Sequence, residues 1–238
     1  MDESIKKIAL LGMGTVGGGV YEILAKQKPN MPAKIGSTLE VAKVLVRNKA
    51  KYADKVPADQ LTDQWSDIID DDSISIVVEV MGGIEPARTY IREALSKGKH
   101  VVTANKDLMA THGHELLEIA REHQCDLLFE AAVAGGIPII RPMKQCLLGN
   151  DITEVMGIIN GTTNFILTKM AEDGMEFDDA LKLATDLGYA EADPTADIEG
   201  YDAGRKLAIM ASIAFHSSVT FDDVYTEGIS KITAKDIR

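Results

Sequence analysis

The stretch of this sequence best suited to chemistry is an acidic run that ends in two basic residues. Residues 188–206 read GYAEADPTADIEGYDAGRK and carry charged side chains at Glu191, Asp193, Asp197, Glu199, Asp202, Arg205 and Lys206. Carboxylates can hold an ammonium group, and a lysine can give a proton to an oxygen. The run therefore suits an amino-acid substrate whose oxygen gains or loses a proton.

The same residues also fit an ordinary capped surface helix. Pro194 and Gly200 predict a loop, and residues 201–215 predict a helix whose apolar stripe consists of Ala203, Leu207, Met210, Ala211 and Ala214. Asp202 and Lys206 are four residues apart, so they share one face of that helix. In this alternative Asp197 caps the helix, and Asp202 and Lys206 form an exposed ion pair. Composition alone favours the surface helix.

The amino-terminal part of the chain carries a dinucleotide-binding fingerprint. An apolar strand predicted at residues 6–11 runs into G-x-G-x-x-G, and a helix is predicted at residues 16–27. The first glycine makes a tight turn, the second lets the backbone approach a pyrophosphate, and the third allows close packing of helix and strand. The alternative is a glycine-rich turn without a ligand. The expected cofactor-binding residues are Gly12, Met13, Gly14, Thr15, Val16 and Gly17.

The residues after the second predicted strand favour NADP(H) over NAD(H). That strand spans residues 39–46, and an NAD site usually offers an acidic residue at its end to the ribose hydroxyls. The sequence here offers Arg47, Lys49 and Lys51. A guanidinium suits a 2′-phosphate better than a bare ribose, so we expect Arg47 to bind the cofactor. A solvated basic turn is the alternative.

Strands and helices alternate through the first half of the chain. Further strands are predicted at residues 74–80, 99–102 and 126–130, with helices from Pro86 to residue 97 and at residues 112–123. The alternation predicts an α/β fold with a Rossmann-type, doubly wound parallel sheet. Functional groups gather beyond the carboxyl ends of such strands. We therefore expect Thr103 and Lys106 near the cofactor; a surface lysine is the alternative for Lys106.

The regular alternation of strands and helices ends after Pro138, which indicates a second domain of the α+β type. We predict a helix at residues 139–148, a strand at 152–159, a helix that opens in the polar turn 160–164 and runs to about 171, and a helix at 177–187 capped by Gly188. The predicted organisation is a dinucleotide-binding domain at residues 1–135 and a substrate-binding and dimerisation domain at residues 136–238.

The overall composition bounds the class of protein. With 45% hydrophobic and 26% charged residues, the 238-residue chain is typical of a soluble globular protein. A formal charge of −12 argues against nucleic acid or an anionic membrane as the main partner. The sequence begins without a signal-peptide pattern and has no apolar run of membrane-spanning length. We expect a cytoplasmic protein with reduced cysteines.

Five stretches together resemble the homoserine dehydrogenase family. They are GMGTVGGGV at residues 12–20, VVTANKDLMA at 101–110, FEAAVAGGIPII at 129–140, NGTTNFIL at 160–167 and GYAEADPTADIEGYDAGRKLAI at 188–209. They cover both predicted domains in the order and spacing of that family. The first is common to dinucleotide-binding proteins, whereas the last two are highly specific. The resemblance moves the interpretation of the acidic run toward a functional site.

The resemblance implies a reaction and roles for individual residues. Homoserine dehydrogenases reduce L-aspartate 4-semialdehyde to L-homoserine with NADPH or NADH, on the route to threonine, methionine and isoleucine. By this resemblance Lys206 is the acid/base group on the substrate oxygen, and Lys106 lies between cofactor and substrate. The substrate-binding residues that it implies are Glu191, Asp197, Asp202, Gly161, Thr162 and Tyr189.

The resemblance also implies a cation and an assembly. Glu130 and the backbone carbonyls of Val133, Gly135 and Ile137 match the monovalent-cation site of the family, which is normally a sodium site. Family members associate as homodimers through the second domain. They also continue well beyond the point at which this chain stops, so we expect it to lack the carboxy-terminal part of the family.

Two other functions remain open at this point. A non-catalytic NADP-binding module is favoured by the expected missing part, whereas the enzyme is favoured by the intact Lys106, Glu191, Asp202 and Lys206. Aspartate-semialdehyde dehydrogenase would need a catalytic cysteine beside a base. Cys125 precedes a predicted strand and Cys146 falls in a predicted helix, so the sequence argues against that activity.

Overall fold

The computed structural model describes residues 4–237, which form two compact units that divide between Gly135 and Gly136. The first unit is built on a six-stranded sheet whose strand order is β3-β2-β1-β4-β5-β6 and whose neighbouring strands are all parallel. The strands are β1 Ser4–Leu11, β2 Ser37–Leu45, β3 Leu61–Thr62, β4 Ile74–Glu79, β5 His100–Thr103 and β6 Leu127–Leu128. The predicted doubly wound parallel sheet is confirmed.

The order of the strands reverses at β1, which fixes where a ligand could lie. From β1 the chain moves to β2 and β3 on one side, and it then crosses to β4, β5 and β6 on the other. In open α/β sheets, ligands bind beyond the carboxyl ends of the strands at such a reversal. The carboxyl end of β1 is Leu11, directly before the glycine fingerprint.

Helices cover the sheet, and this burial explains the apolar strands. Residues 8–11 of β1 are at most 2% exposed, as expected for a strand covered on both faces. An ion pair of 2.7 Å between Arg88 and Glu115 joins two neighbouring helices, Ala87–Ser96 and Lys106–Glu122. The helices of this unit are α1 Thr15–Gln27, α2 Met31–Ile35, α3 Ser66–Ile69, α4 Ala87–Ser96 and α5 Lys106–Glu122.

Several boundaries in the first unit differ from the sequence-based prediction. The fifth helix begins at Lys106 rather than 112, because the Asn105 side chain accepts a hydrogen bond from the Leu108 amide and caps it. Pro86 is the N-cap of α4 rather than its first residue. The two-residue edge strand β3 was not predicted, since two residues carry no periodic signal.

The described part of the second unit is helical. Its helices are α6 Gly161–Asp173, α7 Phe177–Asp186, α8 Thr195–Ile198 and α9 Tyr201–Ala214, with a π-helical turn at Pro142–Cys146 and a 3-10 turn at Phe221–Asp223. Its core is a cluster of buried residues on α6, α7 and the loop that follows, consisting of Ile166, Met170, Ala180, Ala184 and Ala190. Gly188 has a left-handed φ of +78° just after α7, as its predicted capping role requires.

Two elements that the sequence predicted in the second unit, the strand at 152–159 and the helix at 139–148, differ from the structure. Residues 151–160 form no strand in the described structure, because no neighbouring segment there pairs with their backbone, and a strand exists only through its pairing. The predicted helix at 139–148 is reduced to the turn around Pro142–Cys146. The Leu147 amide there bonds to the Pro142 carbonyl, five residues back, which is the π-helical pattern.

Candidate active site

Two glycines of the fingerprint are required by close backbone packing. Gly12 has a φ of +97°, and a Cβ at this position would lie 3.0 Å from the carbonyl oxygen of Val80. A Cβ on Gly17 would lie 2.2 Å from the carbonyl oxygen of Gly12. Both side chains would collide with fixed backbone, so only glycine fits. The tight turn and the close packing expected from the sequence are present in the structure.

The middle glycine leaves space rather than filling it. No heavy atom lies within 4 Å of the position that a Cβ on Gly14 would occupy. Gly14 is also the N-cap of α1, and no side chain caps that helix end. Helix N-termini present amides without intrahelical partners and a positive dipole. An open, glycine-lined helix N-terminus of this kind fits a pyrophosphate.

The other three residues of the fingerprint have different environments. Met13 is 8% exposed and packs in the apolar cluster on the β2 side of the sheet. Thr15 and Val16 begin α1 and are exposed, with Val16 at 54%. Met13 can therefore offer a ligand only its backbone, while Thr15 and Val16 can offer the amides of the first helical turn.

Arg47 lies at the edge of the sheet that carries the fingerprint. Leu11 of β1 is paired with Leu45 of β2, and Arg47 follows two residues later with an exposed side chain. The neighbouring lysines are already engaged: Lys49 pairs with Asp63 at 3.1 Å, and the Lys51 ammonium lies 5.5 Å from the centre of the Tyr52 ring. Among the described residues, none forms an ion pair with Arg47. It is the cation of this turn best placed for a phosphate.

A buried group of hydrogen bonds joins the carboxyl ends of β4 and β5. The hydroxyl of Thr103, which is 1% exposed, donates to Glu79 Oε2 at 2.6 Å and accepts from the Asn105 amide at 3.0 Å. The Thr103 side chain is thus turned into the protein, so only its main chain could meet a cofactor. Asn105 caps α5, and Lys106 is the first residue of that helix, with a partly exposed side chain.

In the second unit, Asn160 bridges two carboxylates of the acidic run. Its Nδ2 donates to Asp197 Oδ1 at 2.7 Å and to Asp202 Oδ2 at 2.8 Å. Its Oδ1 accepts from the amide and the hydroxyl of Thr163, which caps α6. All four hydrogen-bonding positions of the amide are therefore used. Asn160 is 8% exposed, and its single amide nitrogen links Asp197 to Asp202.

Lys206 completes this group, which we call the Asn160 network: Asn160, Asp197, Asp202 and Lys206. The Lys206 ammonium donates to Asp202 Oδ2 at 2.5 Å and to the carbonyl of Ile159 at 2.8 Å. Side-chain exposure is 16% for Lys206 and 5% for Asp202. The exposed ion pair required by the surface-helix alternative is therefore absent at these two residues. Leu207, which that interpretation buried, is 39% exposed.

The remaining predicted substrate residues lie around the start of α6 and beside the acidic run. The hydroxyl of Thr162 donates to the carbonyl of Tyr189 at 2.9 Å, and the Tyr189 ring stacks on Phe165. Gly161 is the first residue of α6 and is exposed. Glu191 is also exposed, and among the described residues it forms no hydrogen bond or ion pair with the Asn160 network. The structure thus brings Thr162 and Tyr189 together and leaves Glu191 at the surface.

A segment that contains residues 226–229 packs tightly against the corner between α8 and α9, with a glycine at the contact on each side. A Cβ on Gly204 would lie 2.4 Å from the Thr226 side chain, and a Cβ on Gly228 would lie 2.6 Å from the Ile198 carbonyl. The Ile229 amide bonds to that carbonyl at 2.7 Å. Since α8 carries Asp197 and α9 carries Asp202 and Lys206, this packing holds the carboxylates in register with the lysine.

Two family models match the chain, one for each unit. The model described as the homoserine dehydrogenase NAD-binding domain matches residues 12–130, and the one described as homoserine dehydrogenase matches residues 138–238. The chain belongs to the homoserine dehydrogenase family. The resemblance stated from the five sequence stretches is confirmed.

Individual homoserine dehydrogenases agree with this assignment. The enzyme of Bacillus subtilis is 49% identical over 97% of this chain. The crystal structure of the enzyme from Thiobacillus denitrificans is 47% identical over 98% of the chain, with a TM-score of 0.92. A hyperthermophilic archaeal homoserine dehydrogenase in complex with NADPH is 28% identical over 96% of the chain, with a TM-score of 0.82, and the chain covers 75% of it. The chain spans 54% of each of the first two proteins, about half their length.

The predicted cation residues lie in the short stretch around the division between the units. Glu130 begins a 3-10 turn, Val133 is buried, Gly135 has a φ of +56°, and Ile137 is 71% exposed. In the part of the chain that the structure describes, no three His, Cys, Asp or Glu side chains cluster in a way that could hold a metal. A cation here would therefore depend on backbone carbonyls and the single carboxylate of Glu130, and the site stays a prediction.

Two residues of these hydrogen-bonded groups, Asn160 and Glu79, are not among the site residues predicted from the sequence. Asn160 falls in a predicted polar turn and in the stretch NGTTNFIL but has no predicted role, although an asparagine directly before a predicted helix is a capping signal. Glu79 was included only in an apolar strand, where a lone carboxylate in ISIVVEV was itself the signal. Both are buried polar residues that have hydrogen-bond partners on other elements as well as nearby in the sequence.

No helix in the described residues is both long and apolar enough to cross a bilayer.

Proposed function

We propose that this protein interconverts L-aspartate 4-semialdehyde and L-homoserine with a nicotinamide cofactor, favouring NADP(H) over NAD(H). The observation that carries the proposal is the partly buried Lys206 ammonium, which is held between Asp202 and the Ile159 carbonyl in a group that contains a second carboxylate, Asp197. Membership of the homoserine dehydrogenase family supports the same reaction. The products feed the synthesis of threonine, methionine and isoleucine.

Lys206 is proposed as the proton donor and acceptor. An ammonium has three N–H donors, and two of those of Lys206 point to fixed acceptors among the described residues. The third is available for the carbonyl oxygen of the substrate. Bound NADPH supplies the hydride that adds to the aldehyde carbon. As that bond forms, the carbonyl π electrons move to the oxygen, and Lys206 stabilises the charge and gives up its proton.

In the reverse direction the same group acts as a base. Neutral Lys206 takes the proton from the hydroxyl of homoserine, while the carbon would give its hydride to NADP⁺ and the oxygen electrons form the carbonyl bond. Because Asp202 and the Ile159 carbonyl hold the nitrogen in one place, its position need not change between the two directions. Such positioning lowers the entropic part of the barrier.

The carboxylates are proposed to hold the α-ammonium group of the substrate. Asn160 occupies Oδ1 of Asp197, and among the described residues no hydrogen bond reaches Asp197 Oδ2. That oxygen can accept from an ammonium. Glu191 can supply a second carboxylate from the exposed end of the acidic run, and we propose Gly161, Thr162 and Tyr189 as lining residues. Fixing the ammonium orients the reacting carbon.

The cofactor is proposed to lie across the carboxyl edge of the sheet. Its pyrophosphate would meet the N-terminus of α1 at Gly12–Gly17, where Gly14 leaves open space. Its 2′-phosphate would meet Arg47 on the β2 side, and its nicotinamide half would extend over the ends of β4 and β5. The solved archaeal relative in complex with NADPH supports this choice of cofactor. Lys106, at the start of α5, then adds a positive charge beside the nicotinamide half.

We further propose a sodium ion, a homodimer and a cytoplasmic location. One carboxylate and three carbonyls around Glu130 are hard oxygen ligands, which suit such a cation.

The dimer would form through the second unit, where Met156 and Ile158 are 86% and 80% exposed in the segment without strand pairing. Light scattering of Met156→Lys against the unchanged chain tests the dimer. A fall in melting temperature when sodium is replaced by a large organic cation tests the ion.

The reaction is tested by mixing the 238-residue chain with homoserine and either NADP⁺ or NAD⁺, and following the near-ultraviolet absorbance of the reduced nicotinamide. Faster reduction of NADP⁺ is expected. Reduction of neither cofactor, together with clear NADPH binding, would leave a nucleotide-binding module without the proposed catalysis. Reduction of NAD⁺ alone would overturn the cofactor preference and leave the reaction standing.

A further inference from the structure

The hydrogen bonds at the ends of β4 and β5 close into a ring. We call it the Glu79 ring; its members are Glu79, Thr103, Asn105, Gly83, Gly82 and Met81. Glu79 Oε2 accepts a hydrogen bond from the Thr103 hydroxyl, and that hydroxyl accepts one from the backbone amide of Asn105. Asn105 Nδ2 then donates to the Gly83 carbonyl at 2.6 Å. Glu79 Oε1 accepts from the backbone amides of Met81 at 2.8 Å and Gly82 at 3.4 Å. Because residues 81–83 are consecutive, these bonds close the ring back to Glu79.

The carboxylate at the centre of this ring is completely buried. Glu79 is 0% exposed, and Thr103 and Asn105 are 1% and 6% exposed. Burying a carboxylate carries a large solvation penalty, which can exceed what its hydrogen bonds return. A leucine in β4 would avoid that cost. The position is therefore better explained by what the carboxylate holds in place than by its contribution to stability.

The ring connects the loop after β4 to the first turn of α5. Gly82 and Gly83 both have left-handed φ values, +75° and +76°, and no heavy atom closer than 4.0 Å surrounds either Cβ position. Glu79 is what fixes the amide of Gly82, and Asn105 is what fixes the carbonyl of Gly83. Asn105 also caps α5, whose first residue is Lys106. The loop after β4 and the first turn of α5 are thereby locked to each other.

We propose that Glu79 is a positioning residue for the nicotinamide half of the cofactor, acting through the loop 81–83 and the capped start of α5. This inference rests on the proposed function. The fingerprint occupies the end of β1 and Arg47 lies on the β2 side, so the other half of a dinucleotide extends over β4 and β5. There it meets backbone whose conformation the Glu79 ring sets.

The test compares two ligands that differ only in the half of the dinucleotide they contain. Dissociation constants of the 238-residue chain are measured for NADPH and for adenosine 2′,5′-bisphosphate, which lacks the nicotinamide half. Glu79→Gln replaces one carboxylate oxygen with an NH₂ group. Whichever of the two positions this group takes, it cannot accept the hydrogen bond made there, either from the Thr103 hydroxyl or from the Met81 backbone amide. NADPH affinity should fall about tenfold, and affinity for the bisphosphate should stay within about twofold.

Two further variants keep the test decisive if Glu79→Gln does not fold. Thr103→Val removes the hydroxyl at nearly constant shape and should weaken NADPH selectively, whereas Thr103→Ser keeps the hydroxyl and should restore binding. Glu40→Gln makes the same change of carboxylate to amide on β2, where Glu40 pairs with Lys28 outside the ring, and should alter neither ligand. The fluorescence of bound NADPH, which reports on the nicotinamide, should change only in the ring variants.

Three results would overturn the inference. Equal weakening of both ligands would mean that the ring supports the unit in general and not the nicotinamide half. Unchanged binding of both ligands in Glu79→Gln and Thr103→Val would mean that the ring does not bear on the cofactor. Failure of the unchanged chain to bind NADPH would remove the proposed function as well, so the two failures are distinguishable.

Discussion

The Glu79 ring and the Asn160 network are both buried groups of hydrogen bonds, but different parts of the fold assemble them. The ring joins the ends of two neighbouring parallel strands, so the sheet itself brings its members together. The Asn160 network joins the start of α6 to α8 and α9, across roughly forty residues of sequence. Strand ends meet in any doubly wound sheet, whereas helix ends meet only where packing brings them together.

The difference extends to charge. The ring contains a single carboxylate among neutral donors, which suits a role in fixing backbone. The network contains two carboxylates and a lysine around one amide, which suits a role in holding and protonating a substrate. The comparison therefore predicts that variants of the network act on turnover and substrate, and that variants of the ring act on cofactor binding.

Lys206→Ala should have the largest effect. It removes the group that protonates the substrate oxygen, so turnover should fall roughly 10²–10⁴-fold, the usual range for general acid catalysis. NADPH binding should be unchanged, because Lys206 belongs to the network and not to the ring. Turnover is measured by nicotinamide absorbance and binding by fluorescence. Lys182→Ala, which removes an exposed lysine on α7, is the matched control. A comparable loss of NADPH binding in Lys206→Ala would break the division of roles.

Asn160→Asp should have the next largest effect. An aspartate keeps the capping oxygen for Thr163 but places a third carboxylate between Asp197 and Asp202. Hydrogen bonds to charged groups are worth about 1.5–3 kcal/mol, so kcat/KM for homoserine should fall by about tenfold to a hundredfold. Thermal unfolding separates this loss from a loss of the cap. If Asn160→Asp melts like the unchanged protein and retains full kcat/KM, the network has no part in binding the substrate.

Arg47→Gln should change the cofactor preference without touching either group. An arginine–phosphate contact is charge-assisted, so kcat/KM for NADPH should fall about tenfold while the value for NADH stays within about twofold. Lys49→Gln should have a smaller effect, since Lys49 is paired with Asp63. Steady-state kinetics with both cofactors provide the measurement. Equal losses for NADPH and NADH would show that Arg47 does not recognise the 2′-phosphate.

The sequence predicted the sheet and the fingerprint well because both depend on local patterns. Apolar strands followed by glycine or polar residues are visible in one dimension, and the parallel order then follows from the alternation of strands and helices. Glu79 and Asn160 were missed because their importance lies in partners that are 24 and about 40 residues away. The strand predicted at residues 152–159 failed for the same reason, since pairing is not a local property.

The substitution Lys99→Met should have the smallest effect. It also serves as a control for the comparison between the Glu79 ring and the Asn160 network. It lies just before β5, at the opposite edge of the sheet from the Glu79 ring, and its ammonium donates to the carbonyls of Asp71 at 2.6 Å and Ile74 at 2.9 Å. Burial lowers the pKa of Lys99 from its ordinary value of 10.5, and the nearby Asp72 and Asp71 charges oppose that shift.

A lowered lysine pKa means that the unfolded chain binds more protons than the folded one near that pKa, so stability rises with pH. The free energy of unfolding of the unchanged protein, relative to Lys99→Met, should therefore increase as the pH rises toward the ordinary lysine pKa of 10.5, and it should level off above that pH. Urea unfolding at several pH values provides the measurement. NADPH binding should not differ between the two proteins, because this buried charge touches neither the ring nor the fingerprint. Weaker NADPH binding in Lys99→Met would mean that any buried charge in the sheet affects the cofactor, and the special role of the Glu79 ring would be lost.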